Sequence, residues 1–143
     1  MARPRILLAD DHPEFLALVA QFIESEFEVL RTFEDGQAIV DSAKGLDADL
    51  LLMDISMPGL SGIDAARRLR AAGCNSKVVF LTVHADRDYL QSALATGALG
   101  YVVKDRMATD LMPALKAAVA GRRYISPSLV SDVEPFDTSG ACS

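Results

Sequence analysis

The sequence predicts an α/β fold in which a doubly wound parallel sheet of five strands is covered by helices on both faces. Short apolar runs recur along the chain, and each is followed by a longer amphipathic stretch, which is the alternation that such a sheet requires. The chain has 143 residues, of which 50% are hydrophobic and 24% charged. This length and composition fit one globular domain with a sizeable core.

The first strand is predicted at Ile6–Ala9, where no polar residue interrupts the run, as expected of a strand buried on both faces. A helix follows from about Pro13 to Ser25, with proline in its first turn. Its apolar stripe at helical spacing consists of Phe15, Leu18, Val19 and Phe22. The mixed apolar and polar run Phe27–Phe33 is typical of an edge strand, and a second helix is expected over Gly36–Lys44.

The later units repeat this pattern of a buried strand followed by a helix that stops at a glycine. Their strands are expected at Leu50–Met53, Val78–Leu81 and Tyr101–Val103, and their helices at Ile63–Ala72, Arg87–Thr96 and Ala108–Ala120. After Gly121 the composition shifts to Ser, Pro and acidic residues without a sustained apolar period. We therefore expect the folded domain to span residues 1–122, and residues 123–143 to form a linker or flexible tail.

Charge and cysteine content exclude several classes of function. Lys and Arg number 14 against 20 Asp and Glu, and the resulting net charge of -6 argues against nucleic-acid contact by this segment. Cys74 and Cys142 fit neither a disulfide framework nor a metal site, which favours a reducing, cytoplasmic environment. The apolar run before Asp10 is too short for a signal peptide core or a membrane span.

Polar side chains follow four of the predicted strands at the point where each ends. They are Asp10 and Asp11 after the first strand, Asp54 after the third, Thr82 after the fourth and Lys104 after the fifth. Ligands of doubly wound sheets bind outside the carboxyl ends of the strands, so these side chains are expected to converge. Each residue alone has an ordinary explanation as a helix cap, a strand-end hydroxyl or a solvated charge, but their joint occurrence is hard to explain that way.

Three neighbouring carboxylates repel one another and call for a counter-ion. Mg²⁺ prefers oxygen ligands and commonly takes one or two carboxylates together with phosphate oxygens. A lysine ammonium and a threonine hydroxyl opposite the carboxylates are suited to holding phosphoryl oxygens. The sequence therefore predicts a Mg²⁺-dependent phosphoryl site, in which Mn²⁺ could substitute.

Four segments carry a resemblance to a known family: ADDHPEF, LLMDISMPGLSG, FLTVHA and GALGYVVKD. Over about residues 5 to 130 the chain resembles the receiver domain of two-component response regulators, in detail those of the NarL/FixJ (LuxR-type) transcriptional regulators. The resemblance implies a flavodoxin-like (βα)5 fold with strand order 2-1-3-4-5. Many receivers have proline with a cis peptide bond after the lysine, whereas Asp105 follows here, and a non-proline cis bond costs about 2.5–4 kcal/mol.

The resemblance also implies roles for single residues. Asp54 would be the phosphoacceptor, and Asp10, Asp11, Asp54 and the main-chain carbonyl of Ser56 would hold the metal. Thr82 and Lys104 would bind phosphoryl oxygens, and Thr82 and Tyr101 would form the switch. Ser56 and His84 are candidates for tuning the rate at which the phosphoryl group is lost.

The expected partners are proteins: a sensor histidine kinase that donates the phosphoryl group, and another copy of the chain. The output is expected to be transcriptional, through a DNA-binding domain that these residues do not contain; a stand-alone regulator is the alternative. A Mg²⁺-dependent phosphohydrolase is a weaker alternative, because such enzymes carry an Asp two positions after the nucleophile, where Ser56 stands here. An interaction domain with an inactive site is disfavoured by the intact polar set.

Overall fold

The structure, a computed structural model, describes residues 3–127 and 129. These residues form a six-stranded parallel sheet in the order β2-β1-β3-β4-β5-β6 with five α-helices. The strands are β1 (Arg5–Ala9), β2 (Glu28–Phe33), β3 (Leu50–Met53), β4 (Lys77–Thr82), β5 (Gly100–Val103) and β6 (Tyr124–Ile125). The helices are α1 (Pro13–Ile23), α2 (Gly36–Leu46), α3 (Gly62–Ala71), α4 (Arg87–Ala95) and α5 (Met107–Val119), and a short 3₁₀ helix, Lys104–Arg106, precedes α5.

The sheet is buried on both faces because alternate residues of its strands feed two separate cores. Leu7 and Leu51 lie in the core that also contains residues of α2, α3 and α4. Leu8 and Leu52 lie in the other, with residues of α1 and α5. This two-sided burial explains why the inner strands have no polar interruption.

All five helices end at the amino-terminal edge of the sheet, where a basic side chain from outside the helix donates to a terminal carbonyl. Unsatisfied carbonyls and the negative end of the helix dipole favour a cation at this position. The donors are Arg3 for α1, Arg5 for α2, Lys44 for α3, Arg70 for α4 and Lys77 for α5.

The predicted fold class is confirmed, and the ten elements expected from the sequence lie within two residues of their observed bounds. The strand count of five is wrong by one. Tyr124–Ile125, expected to open a linker, instead pair in parallel with β5 as a sixth strand. The remainder of the predicted tail, at residues 128 and 130–143, lies outside the described residues, as does Cys142.

The buried face of α1 also differs from the predicted stripe. Leu16, Val19 and Ile23 are buried, whereas Leu18 and Phe22 are exposed. The helix is apolar on more than one face, so its periodicity alone did not determine which face meets the sheet. Among the described residues no peptide bond is cis, and no helix is long and apolar enough to cross a membrane.

Candidate functional site

The strand-end residues converge at the carboxyl edge of the sheet, as predicted. Strands β1 and β3 are neighbours with Ala9 opposite Met53, so Asp10 and Asp54 emerge side by side. The Asp54 N–H donates to the Ala9 carbonyl at 2.9 Å, which fixes this spacing. Both carboxylates are almost wholly buried, with exposures of 3% and 4%.

Lys104 joins the two buried carboxylates. Its Nζ lies 2.6 Å from Asp10 Oδ2 and 3.0 Å from Asp54 Oδ2, and 4.4 Å from the centre of the Phe15 ring. Burial by itself lowers the pKa of this ammonium, but the hydrogen bonds and charges of the two carboxylates outweigh it, so the pKa of Lys104 lies above its ordinary value. The lysine therefore stays charged and compensates part of the acidic cluster.

Asp11 faces the open side of this cluster. Within the described residues its Oδ1 is buried without a hydrogen-bond partner, although His12 Nδ1 lies 3.0 Å away. The same imidazole nitrogen is 3.1 Å from Asp10 Oδ1, and one ligand atom from each of Asp10, Asp11 and His12 lies within 4.8 Å of the others. An unsatisfied carboxylate oxygen beside a second carboxylate fits a hard divalent cation, so the donor set suits Mg²⁺.

Thr82 is fully buried at the end of β4, which lies on the other side of β3 from β1. Its Oγ1 accepts the N–H of His84 at 3.3 Å. The His84 ring stacks on Tyr89, with the ring centroids 4.1 Å apart, and its Nε2 lies 2.5 Å from Ser56 Oγ. The two proposed tuning residues, Ser56 and His84, are thus in direct contact at the rim. Sequence spacing did not predict this contact.

Tyr101 is fully buried on β5, and its hydroxyl donates to the carbonyl of His84 at 2.8 Å. Burial, followed by the charges of Asp86 and Asp54, raises the pKa of this hydroxyl well above its usual range, so it remains a donor. In the structure the ring is turned into the interior of the protein. It joins β5 to the loop that carries His84.

Gly62 fixes the loop after Asp54. A Cβ at this position would lie 2.1 Å from the Asp54 carbonyl oxygen, and the Gly62 N–H donates to the Ile55 carbonyl at 2.8 Å. No larger residue fits without moving backbone, so glycine is required for the observed path of the chain beside the phosphoacceptor candidate.

An open groove of about 730 Å³ lies at the opposite edge of the sheet. It is lined by Arg3, Arg5, Lys44 and Lys77, whose side chains already bind helix carbonyls. These cations are therefore explained by helix capping, and the groove is not the functional site.

The site residues predicted from the sequence thus all lie at one edge, with Asp10, Asp54 and Lys104 in direct contact. His12 is not among the site residues predicted from the sequence; it precedes α1, and its imidazole contacts both Asp10 and Asp11. Its place in the motif directly after two aspartates was the available signal.

Carboxylates and a lysine clustered at the carboxyl edge of a doubly wound sheet fit the receiver domain that the sequence motifs resemble, and comparison with known proteins agrees. The family model for the response regulator receiver domain matches residues 6–116. The chain therefore belongs to the response regulator receiver domain family.

Among relatives, the chain is 36% identical over 131 residues to the transcriptional regulatory protein DegU of Brevibacillus brevis, covering 90% of this chain and 56% of that protein. It is 35% identical over 126 residues to the nitrate/nitrite response regulator protein NarL of Escherichia coli (strain K12), covering 87% and 58%. The chain thus spans somewhat more than half the length of these curated relatives. The predicted resemblance to NarL-type receivers is confirmed.

Solved structures agree with this assignment. A two-component response regulator of the LuxR family from Aurantimonas sp. SI85-9A1 superposes with a TM-score of 0.88 at 29% identity, covering 94% of this chain and 97% of that one. The isolated REC domain of RcsB from Salmonella enterica serovar Typhimurium, solved in the presence of the phosphomimetic BeF3-, gives 0.83 at 28% identity, covering 91% and 98%.

Proposed function

We propose that the chain is a phosphorylation switch that accepts a phosphoryl group on Asp54 from a phosphohistidine of a sensor kinase. The observation that carries the proposal is the bridge from Lys104 to the buried carboxylates of Asp10 and Asp54, at 2.6 and 3.0 Å. A buried carboxylate held beside a fixed ammonium is poised as a nucleophile whose product, an acyl phosphate, keeps a cation next to its new negative charge.

Asp10, Asp11, Asp54 and the main-chain carbonyl of Ser56 would hold Mg²⁺, or Mn²⁺ in its place. The ion would neutralise the carboxylates and the oxygens of the incoming phosphoryl group. Among the three carboxylates that of Asp11 is the most accessible, with 35% of its side chain exposed, and it offers the unpartnered oxygen.

In the transfer, an Asp54 carboxylate oxygen forms a bond to phosphorus as the bond from phosphorus to the donor's imidazole nitrogen breaks, and that nitrogen keeps the electron pair. Lys104 and the Thr82 hydroxyl bind phosphoryl oxygens and fix their orientation. Hydrolysis by water reverses the state, and the Ser56 and His84 side chains at the rim set how readily water reaches the phosphorus. These self-reactions are the only chemistry we assign to the chain.

Readout is assigned to Thr82 and Tyr101. Thr82 lies on β4 next to β5, where Thr82 pairs with Val103, and the Tyr101 hydroxyl is bonded to the loop that follows Thr82. A change in the position of Thr82 therefore alters the packing of Tyr101, which shifts the balance between two states of the face formed by α4, β5 and α5.

The kinase has to cover the site from the side of α1. Phe15 of this helix contacts Lys104, and Leu18 and Phe22, one and two turns further on, are 52% and 38% exposed. An apolar stripe that begins at the phosphoacceptor suits a protein that presents a phosphohistidine there. We place this exchange in the cytoplasm.

The output is proposed to be transcriptional, because the relatives at 36% and 35% identity are named transcriptional or nitrate/nitrite response regulators. The net charge of -6 and the capping role of five basic side chains argue against DNA contact by this segment itself. Self-association is the further proposed partner interaction, and sedimentation with and without a phosphoryl mimic tests it.

The deciding experiment is intact-mass analysis after incubation with a small phosphodonor and Mg²⁺. We expect addition of one phosphoryl group to the unaltered chain, no addition to Asp54→Asn, and no addition in excess chelator. Asp64→Asn is the matched control, since Asp64 is an exposed aspartate of α3 that pairs only with Arg67 among the described residues. Labelling that persists in Asp54→Asn, or a label mapped to a serine, would overturn the assignment.

A further inference from the structure

A second polar cluster lies away from the phosphorylation site, where the chain leaves the domain after α5. Strand β6 has only two residues. The Tyr124 N–H donates to the carbonyl of Leu99, just before β5, at 2.7 Å, and the N–H of Ser126, just after β6, donates to the Tyr101 carbonyl at 2.9 Å. A strand this short does not hold itself on a sheet by backbone pairing alone. Side chains must supply the rest.

Asp110 supplies it from the first turn of α5. Its carboxylate is 3% exposed, and Oδ2 accepts the Ser126 hydroxyl at 3.0 Å while Oδ1 accepts the Tyr124 hydroxyl at 3.4 Å. A buried carboxylate destabilises the fold unless it is hydrogen-bonded. Two partners of the Asp110 carboxylate, Tyr124 and Ser126, lie on the segment that follows α5. Burial and the charge of Asp110 raise the pKa of the Tyr124 hydroxyl, which stays protonated and donates.

The same segment is anchored by apolar contacts. Leu129, 4% exposed, belongs to the core that contains Tyr101, and Ile125 packs against that core. Residues 124–127 and 129 therefore lie over β5 on the side of the proposed switch residue.

The position of Ser126 against β5 is connected to the proposed phosphorylation site through the backbone of β5. The fully buried Ser126 hydroxyl oxygen accepts the N–H of Val103 at 3.2 Å, and Val103 directly precedes Lys104. Tyr101, whose carbonyl accepts the Ser126 N–H, donates its hydroxyl to the loop after Thr82. Lys104 thus follows directly after Val103, whose N–H is bonded to Ser126. Thr82 lies two residues before His84, whose carbonyl is bonded to Tyr101, and the Tyr101 carbonyl is in turn bonded to the Ser126 N–H.

We propose that Asp110 and Ser126 form a latch that holds strand β6 on β5, and that a phosphoryl group on Asp54 tightens this latch. The proposal rests on the proposed function for its trigger. Anionic phosphoryl oxygens would hold Lys104 and Thr82 in fixed positions, which stabilises the end of β5 to which Ser126 is bonded. The phosphorylated state then differs in how firmly the following chain is held and directed.

The test is amide hydrogen exchange by NMR at Tyr124 and Ser126, with and without beryllofluoride and Mg²⁺. Ser126→Ala removes the hydroxyl, leaves buried groups unpaired, and should speed exchange at both amides roughly tenfold without the mimic. Tyr124→Phe should act in the same direction more weakly, because it removes a single bond. The matched control is Thr109→Val, which removes a partner of Asp110 at 3.1 Å on α5 itself and should leave both amides within about twofold.

In the unaltered chain, beryllofluoride should slow exchange at both amides by about fivefold or more, within the usual range of coupling between two sites. By reciprocity, Ser126→Ala should weaken beryllofluoride binding, by at most the same factor. If beryllofluoride shifts the amides of Asp54, Thr82 and Lys104 while exchange at Tyr124 and Ser126 is unchanged, the coupling is wrong and the proposed function stands. If those site amides do not respond at all, the proposed function fails and the trigger fails with it.

Discussion

Replacing Lys104 by methionine removes the counter-charge from two buried carboxylates. At an effective dielectric constant of about 20, Coulomb's law gives each of its ion pairs, at 2.6 and 3.0 Å, about 6 kcal/mol of attraction before the cost of desolvation. Breaking a buried pair by removing one partner typically costs about 3–5 kcal/mol. The Asp11 side of the site is open to water, so we expect Lys104→Met to lower the free energy of unfolding by about 3 kcal/mol, the lower end of that range.

The assay is urea unfolding followed by circular dichroism near neutral pH, in chelator and again in excess Mg²⁺. Because a bound divalent cation takes over the neutralising role of the ammonium, Mg²⁺ should recover a measurable part of the loss in the variant. Lys116→Met is the matched control: Lys116 pairs with Glu26 at 2.9 Å, but the two side chains are 57% and 45% exposed, so its removal should cost under about 1 kcal/mol. Equal unfolding free energies for the two variants in chelator would refute the argument that the site is held by charge compensation.

Three further outcomes follow from the same geometry. Gly62→Ala should destabilise the fold by about 1–3 kcal/mol or more and weaken Mg²⁺ binding measured by calorimetry, because its Cβ would lie 2.1 Å from the Asp54 carbonyl oxygen. The control Gly45→Ala, whose Cβ would have nothing within 4 Å, should be neutral or stabilising. Similar losses of stability in both variants would count against the close-packing argument. Tyr101→Phe should lower the unfolding free energy by about 1 kcal/mol through loss of the bond to His84 while leaving Mg²⁺ affinity unchanged; a loss of metal affinity would contradict the separation of switch and site. The folded-state pKa of Lys104 is raised above 10.5, so the stabilisation by its charge should be complete below that pH and decline as pH rises through the higher folded value. The difference in unfolding free energy between the unaltered chain and Lys104→Met should therefore stay constant from pH 7 to about 10. It should shrink in strongly alkaline buffer.

The sequence was sufficient for the parts of the fold and site that arise from periodicity and strand ends. Uninterrupted apolar runs predict the buried strands. Parallel pairing of these strands is then enough to bring Asp10, Asp54 and Lys104 to one edge of the sheet. The family model matches residues 6–116, which include all of these positions.

What the sequence did not reveal depends on single side-chain contacts that have no period. Asp110 occurs in an amphipathic helix, where an acidic residue ordinarily faces water, yet it is buried by partners from a segment that begins after the helix ends. Because the sequence does not reveal the contacts with Asp110, the two-residue run Tyr124–Ile125 is too short to be recognised as a strand. Likewise the contact between Ser56 and His84 joins loops 28 residues apart, and no local pattern reports it.

The sixth strand has a consequence for how the molecule behaves at high concentration. β5 is buried along all four of its residues, and if it ended the sheet it would offer other chains an apolar, unpaired row of backbone groups. Long exposed edges of that kind are templates for intermolecular strand addition, and short edge strands are among the ways in which proteins avoid it. Within the described residues the two-residue strand β6 covers β5 and forms a short edge on that side of the sheet. Loosening the seat of β6 would therefore expose a surface prone to aggregation as well as altering a signal.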